Sequence, residues 1–228
     1  MTVDIRYQCQ YCKKEFSRET TLAAHLCEPK RRYQERTEKG VQLGLQAYLK
    51  FYEYSQGSAQ QKNWDCFAAS PYYRAFVKFG RYCHSIRAIN PLRFMDWLLK
   101  HNKKIDYWCQ DSSYTEYLVE YLQQESVTDA LGRSIEYSIG WAEKNSAQTC
   151  DCLRYGNQTV ICHAITTGRV SSWTIYNCDS GQEFLSKLSA DQVAMIWPYI
   201  NSDRWQQKFA NYPADQTYAR EILKQAGW

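Results

Sequence analysis

Residues that break or loosen structure are scarce, with 5 prolines and 10 glycines in 228 residues. So thin a supply argues against a long disordered linker and excludes a collagen-like repeat. No apolar run nears the ~18 residues that a membrane span needs, and mean hydropathy is −0.63. The opening MTVDIRYQCQYC lacks the apolar stretch that directs export. There is no P-loop, no nucleotide-binding glycine motif and no Gly-x-Ser-x-Gly elbow. These absences speak against a membrane protein, a secreted precursor and a coiled-coil rod. The expectation is a soluble chain with no membrane partner.

Cysteine, by contrast, is plentiful. Ten of them in a chain without an export signal are expected to be reduced, some buried and some binding metal. Hydrophobic residues make up 44% of the sequence, enough for a sizeable core. Charge is segregated. Residues 74–104 hold 8 Lys or Arg against the single acid Asp96, whereas residues 105–146 hold 8 acids against 2 bases. The basic block either offers a positive face to a partner or pairs with acids inside the fold.

Periodicity and capping signals predict a helical middle. An amphipathic helix is expected over 38–54. Ser70 with Pro71 opens another to about Arg87, and Asn90 with Pro91 opens one to about His101. Ser113 with Glu116 and Ser126 with Asp129 head two more, reaching about Gln123 and Lys144. Beyond Asn145 the segments 158–165 (QTVICHAI) and 170–176 (VSSWTIY) are β-rich and joined by Thr-Thr-Gly-Arg, which predicts a short β-hairpin. Helices to the C-terminus follow, one of them ended or kinked by Pro198.

One motif carries specific chemistry. Tyr7-x-Cys9-x2-Cys12-x3-Phe16-x5-Leu22-x2-His25 has the frame of a zinc finger of the two-Cys two-His type. Two cysteines two residues apart sit on a tight turn and reach one tetrahedral Zn²⁺, while Phe16 and Leu22 supply a miniature core. The fourth ligand departs from that pattern. Pro29, Lys30 and Arg31 occupy the window for a second histidine, and Cys27 is the nearest soft donor. Residues two apart on a helix diverge, so Cys27 can ligate only if the helix unwinds after His25, which Pro29 favours. The ligand set read here is Cys9, Cys12, His25 and Cys27 around one structural Zn²⁺. The alternative is a three-ligand site beside a free Cys27 thiol.

In fingers that read DNA the base-facing helix positions would be Arg18, Thr21 and Ala24. A single finger spans about three base pairs, too few for selectivity. A generic phosphate grip by Lys13, Lys14, Arg18, Lys30, Arg31 and Arg32 fits better. Arg74, Lys78 and Arg81 fall at helical spacing and form a second basic stripe; the plain alternative is a solvated helix face. Cys150, Cys152, Cys162, His163 and Cys178 follow no metal-ligand spacing and read as packing residues. His84, Asn90 and His101 lack the spacing of a His-Asn-His nuclease.

Together with the finger, the stretches HLCEPKRR, SPYYRAFVKFGRYC, DYWCQDSSYTEYLVEYL and LKQAGW resemble zinc-finger proteins encoded by large tailed phages, including those of marine cyanobacteria, a group with no established activity. The resemblance implies a viral product made in a bacterial host's cytoplasm, or carried in the virion. The resulting expectation is a mainly α chain: a ββα zinc finger at 1–30, a helical domain at 31–146 and an α+β segment with a β-hairpin at 147–228. Its function is expected to be non-enzymatic nucleic-acid binding in phage replication, transcription or packaging. The rival is a protein–protein adaptor or virion component whose finger docks a phage or host partner. A nuclease-type activity would need a carboxylate-rich pocket that only folding could assemble.

Overall fold

A computed structural model describes residues 6–57 and 62–228. The chain divides into two compact units, Met1–Tyr114 and Thr115–Trp228. The first opens with a two-stranded antiparallel hairpin, β1 (Tyr7–Gln8) and β2 (Glu15–Phe16), with Tyr7 opposite Phe16. Then come α1 (Glu19–Ala24) and α2 (Glu28–Gln34), a 3-10 turn (Glu35–Thr37), and the long α3 (Lys39–Gln56). After α4 (Trp64–Ala69), α5 (Tyr73–Ser85) and α6 (Pro91–Lys100), a second 3-10 turn (Ile105–Tyr107) leads into α7 (Asp111–Gln124), where the units divide.

Around α3 the first unit packs an aromatic core. Tyr48 meets Phe76 edge-on, and Phe76 and Phe79 both pack on Trp108, whose indole N–H donates to the Lys103 carbonyl at 2.8 Å. The tightest contact is between α3 and α5. A methyl group at Gly80 would lie 2.0 Å from the Gly40 carbonyl oxygen and 2.5 Å from the Gly44 nitrogen. Glycine is required at Gly80 because backbone meets backbone there.

The second unit is helical throughout its described residues. It holds α8 (Val127–Asn145), α9 (Asp151–Tyr155), α10 (Gln158–Thr166), α11 (Ser172–Asn177), α12 (Asp179–Ser186), α13 (Ala190–Ile200), α14 (Ser202–Asn211) and α15 (Pro213–Gln225). Trp173 is wholly buried at its centre, against Trp205 and Phe209. Glu125, the one buried carboxylate among the described residues, is gripped at both oxygens by Arg133, at 2.6 and 2.9 Å. Burial nonetheless pushes the Glu125 carboxyl above its ordinary pKa, with the Arg133 hydrogen bonds opposing.

This overturns the expected fold class in two places, although mainly α holds. First, 158–165 and 170–176 form α10 and α11 rather than a hairpin. Asn157 caps α10 by accepting from the Val160 N–H, and Ile161, Cys162, Ala164 and Ile165 are buried at helical spacing. The apparent turn Thr-Thr-Gly-Arg is a helix terminator: Gly168 is left-handed (φ 72°), its N–H bonds the Ile165 carbonyl, and the Arg169 N–H reaches back to Ala164. Burial and this cap outweigh the β preference of Val, Ile and Thr. Second, the expected ββα finger, with its helix carrying a metal ligand, does not form. The helix α1 is only six residues long and stops at Ala24, one residue before His25.

Two stability measurements check these contacts. Gly80→Ala should lower stability by about 1–3 kcal/mol through overpacking, despite the ~1 kcal/mol gain in helix propensity. Gly132→Ala, on α8 with nothing within 4 Å of the added methyl, should leave stability equal or higher; the reverse order would refute the α3–α5 contact. Arg133→Met should cost about 3–5 kcal/mol by stranding Glu125, and adding Glu125→Leu should recover most of it in denaturant titrations.

Candidate metal centre

The metal module begins with a tight knuckle. The Cys9 N–H donates to the Lys14 carbonyl at 2.9 Å, and the Lys13 N–H donates back to the Cys9 carbonyl at 2.8 Å. Lys13 takes a left-handed conformation (φ 61°) to close the turn. Cys9 and Cys12 thereby project from one hairpin end. The other two donors come from the chain after α1. His25 (φ −69°, ψ 121°) is extended, and Cys27 (φ −98°, ψ 161°) is extended too. In extended backbone, residues two apart share a face. His25 and Cys27 therefore point the same way, while Leu26 between them is 63% exposed.

The four donor atoms all lie within 4.8 Å of one another. Cys9 Sγ is 3.9 Å from Cys27 Sγ, and Cys12 Sγ is 3.2 Å from His25 Nε2. A tetrahedral ion with bonds of about 2.3 Å to sulfur and about 2.0 Å to nitrogen would hold such pairs about 3.8 and 3.5 Å apart. Three thiols and an imidazole at these separations fit a divalent ion of zinc's size and softness. Among the described residues, no other group of three or more His, Cys, Asp or Glu lies close enough to hold a metal.

Little else organises this module. Within residues 6–38, Cys9 alone is buried, and α1 buries no residue. Phe16 packs on the His25 ring at 4.7 Å, and Lys30 Nζ donates to the His25 carbonyl at 3.0 Å. A metal would thus stand where a core would be. The thiols are not equivalent. The Cys12 backbone N–H, helped by that of Tyr11 and by the neighbouring thiols, brings Cys9 down to about 7, against the effect of burial. Burial pushes Cys27 up.

Cys27 also caps α2, with Pro29 in its first turn. The stretch read as a basic connector is therefore partly helix, a start that Glu28-Pro29 signals. Glu28 was not singled out from the sequence, yet it gathers three arginines: Arg31, Arg32 at 3.2 Å and Arg74 at 3.6 Å. Although burial opposes it, the Arg32 hydrogen bond and these charges hold the Glu28 carboxyl below its ordinary value. Arg81 reaches Glu35 at 3.1 Å and Glu38 at 2.7 Å. Arg32 additionally donates to the Ala68 carbonyl and lies 4.3 Å over the Tyr73 ring. The α5 stripe is thus partly committed to ion pairs, with acids that precede it in sequence. Lys78 is exposed and, among the described residues, has no ion pair.

The cysteines set aside as packing residues are placed differently from one another. Cys152, Cys162 and Cys178 are buried, and Cys178 donates to the Thr174 carbonyl at 3.1 Å. Cys150 is half-buried and His163 exposed. His101 stacks on Trp97, and Asn90 caps α6. Among the described residues, no helix is long and apolar enough to cross a membrane.

Metal analysis of the purified chain should find one zinc per molecule. Cys12→Ala and Cys27→Ala should each lose it and expose residues 6–37 to protease, while Cys66→Ala retains it. Retention should fall as pH drops from 7 to 5, because the ligands bind deprotonated. Full zinc occupancy in Cys27→Ala would leave a three-ligand site.

Comparison with protein-family models, with curated proteins and with solved structures finds no match to this chain, so the resemblance to phage zinc-finger proteins gains no support from that direction.

Proposed function

We propose that this chain is a zinc-stabilised nucleic-acid-binding protein whose contact surface centres on the metal module and α2. The observation that carries the reading is the charge balance there. Glu15 is held by Arg6, Glu28 by Arg31 and Arg32, and Glu35 and Glu38 by Arg81. Lys13, Lys14 and Arg18 are exposed and, among the described residues, have no carboxylate partner. Over residues 6–38 eight Lys or Arg stand against five acids, of which Glu19 alone is in no ion pair among the described residues, so the metal end carries net positive charge. Of the nine basic residues considered from the sequence, Lys13, Lys14, Arg18 and Lys78 remain available to phosphates, while Lys30, Arg31, Arg32, Arg74 and Arg81 also hold the fold.

One observation favours a second reading, a protein adaptor. Leu26 is 63% exposed at the centre of the metal module, and on α13 Met195 and Trp197 are 48% and 42% exposed. A salt series separates the two. Four phosphate contacts should give a slope of log affinity on log salt of about −3 to −4. Lys13→Glu with Lys14→Glu and Arg18→Glu should abolish measurable binding without releasing zinc. Unchanged affinity in that triple variant would refute the surface proposed here, and salt-insensitive capture of a protein would favour the adaptor.

A further inference from the structure

We infer that the metal module takes single-stranded rather than double-stranded nucleic acid, stacking an unpaired base on a tyrosine–tyrosine–arginine layer. This rests on the nucleic-acid reading above and names the form of substrate it would take. Two independent observations lead to it.

The first concerns what a duplex would need. Reading a major groove takes a helix that projects side chains along base edges. Here α1 has six residues, about 9 Å of axis. Arg18 lies before it, at the N-cap with extended backbone, and Ala24 is its last residue. The positions that would face bases therefore occupy the ends of one and a half turns, and α1 is too short to serve as a recognition helix.

The second is a part-exposed aromatic cluster. Tyr11, in the Cys9–Cys12 knuckle, lies 5.1 Å from Tyr33 on α2 with the two rings tilted by 46°, and the Arg36 guanidinium sits 3.6 Å from the Tyr33 ring centre. Tyr33 is still 41% exposed. The two rings are borne by opposite sides of the ligand set. Tyr11 lies between Cys9 and Cys12, and Tyr33 lies on the helix that Cys27 caps, so one ion would fix their spacing. Lys13 and Lys14 follow Tyr11 after Cys12 and are exposed. Aromatic and guanidinium faces flanked by exposed lysines match an unstacked base with phosphates on either side. A duplex hides its base faces within its own stack and could use only the lysines.

The test uses the full-length, zinc-loaded chain and fluorescein-labelled 15-mers of dT and of rU, against a duplex of equal phosphate count, by fluorescence anisotropy. Single strands should bind at least ten-fold tighter than the duplex. Tyr33→Ala and Tyr11→Ala should each weaken single-strand binding about ten-fold, the loss of one base stack. Duplex binding should stay within two-fold, and Tyr33→Phe should restore single-strand affinity because it keeps the ring. Zinc content reports whether each variant folds. If an alanine variant loses zinc, photocrosslinking of 5-iodouracil strands to the unaltered protein decides: adducts on the peptides holding Tyr11 or Tyr33 support the layer, and adducts only elsewhere overturn it. Equal affinity for duplex and single strand, with Tyr33→Ala unchanged, overturns this inference and leaves nucleic-acid binding standing. Binding to neither overturns both.

Discussion

Four donor atoms can surround one ion here because α1 stops at Ala24. Had it run on through His25, as in a two-Cys two-His finger, Cys27 would have pointed roughly 200° around the axis from His25. The extended passage through His25, Leu26 and Cys27 instead sets both ligands on one face and Leu26 on the other. With Cys9 the only buried residue in the first described 33, no apolar core could hold this geometry unaided. The hairpin, α1 and the start of α2 all take their relative places from it.

The same passage joins the metal centre to the helices. Cys27 is one of the four clustered donors and also the residue from which α2 starts, and the next residue, Glu28, gathers Arg31, Arg32 and Arg74. Arg32 continues to the Ala68 carbonyl and the Tyr73 ring. The metal module is thereby fastened to α4 and α5 by charge-assisted contacts rather than by apolar burial. That is why the basic stripe on α5 is less free than its sequence spacing suggests. Two of its three cations have structural partners, and the free charge lies mainly on the hairpin.

Much of this was legible beforehand, and the failures share a cause. The ligand set was readable because spacing and donor chemistry are local properties. Helix starts at Asn90 and Ser126 were readable because a side-chain oxygen three residues before an amide is also local. The 158–176 region misled because Val, Ile and Thr favour strands in isolation, whereas burial on four positions and a left-handed Gly168 decide for helix. Likewise, the pairing of Arg81 with Glu35 and Glu38 joins residues more than 40 apart, and charge counting over contiguous blocks looks for partners only nearby. Tyr11 and Tyr33 carried no signal at all until α2 folded beside the knuckle.

The identity of the fourth donor sets the electrical character of the module. A divalent ion with three thiolates and a neutral imidazole sums to one surplus negative charge, where two thiolates and two imidazoles would be neutral. With a divalent ion held by Cys9, Cys12, His25 and Cys27, an anionic cluster would lie beside Lys13, Lys14 and Lys30. Some of that lysine charge would balance the cluster, and the field reaching an approaching polyanion would be correspondingly weaker. A chain with histidine in place of Cys27 would hold the ion in a neutral cage and project a stronger attraction from the same lysines.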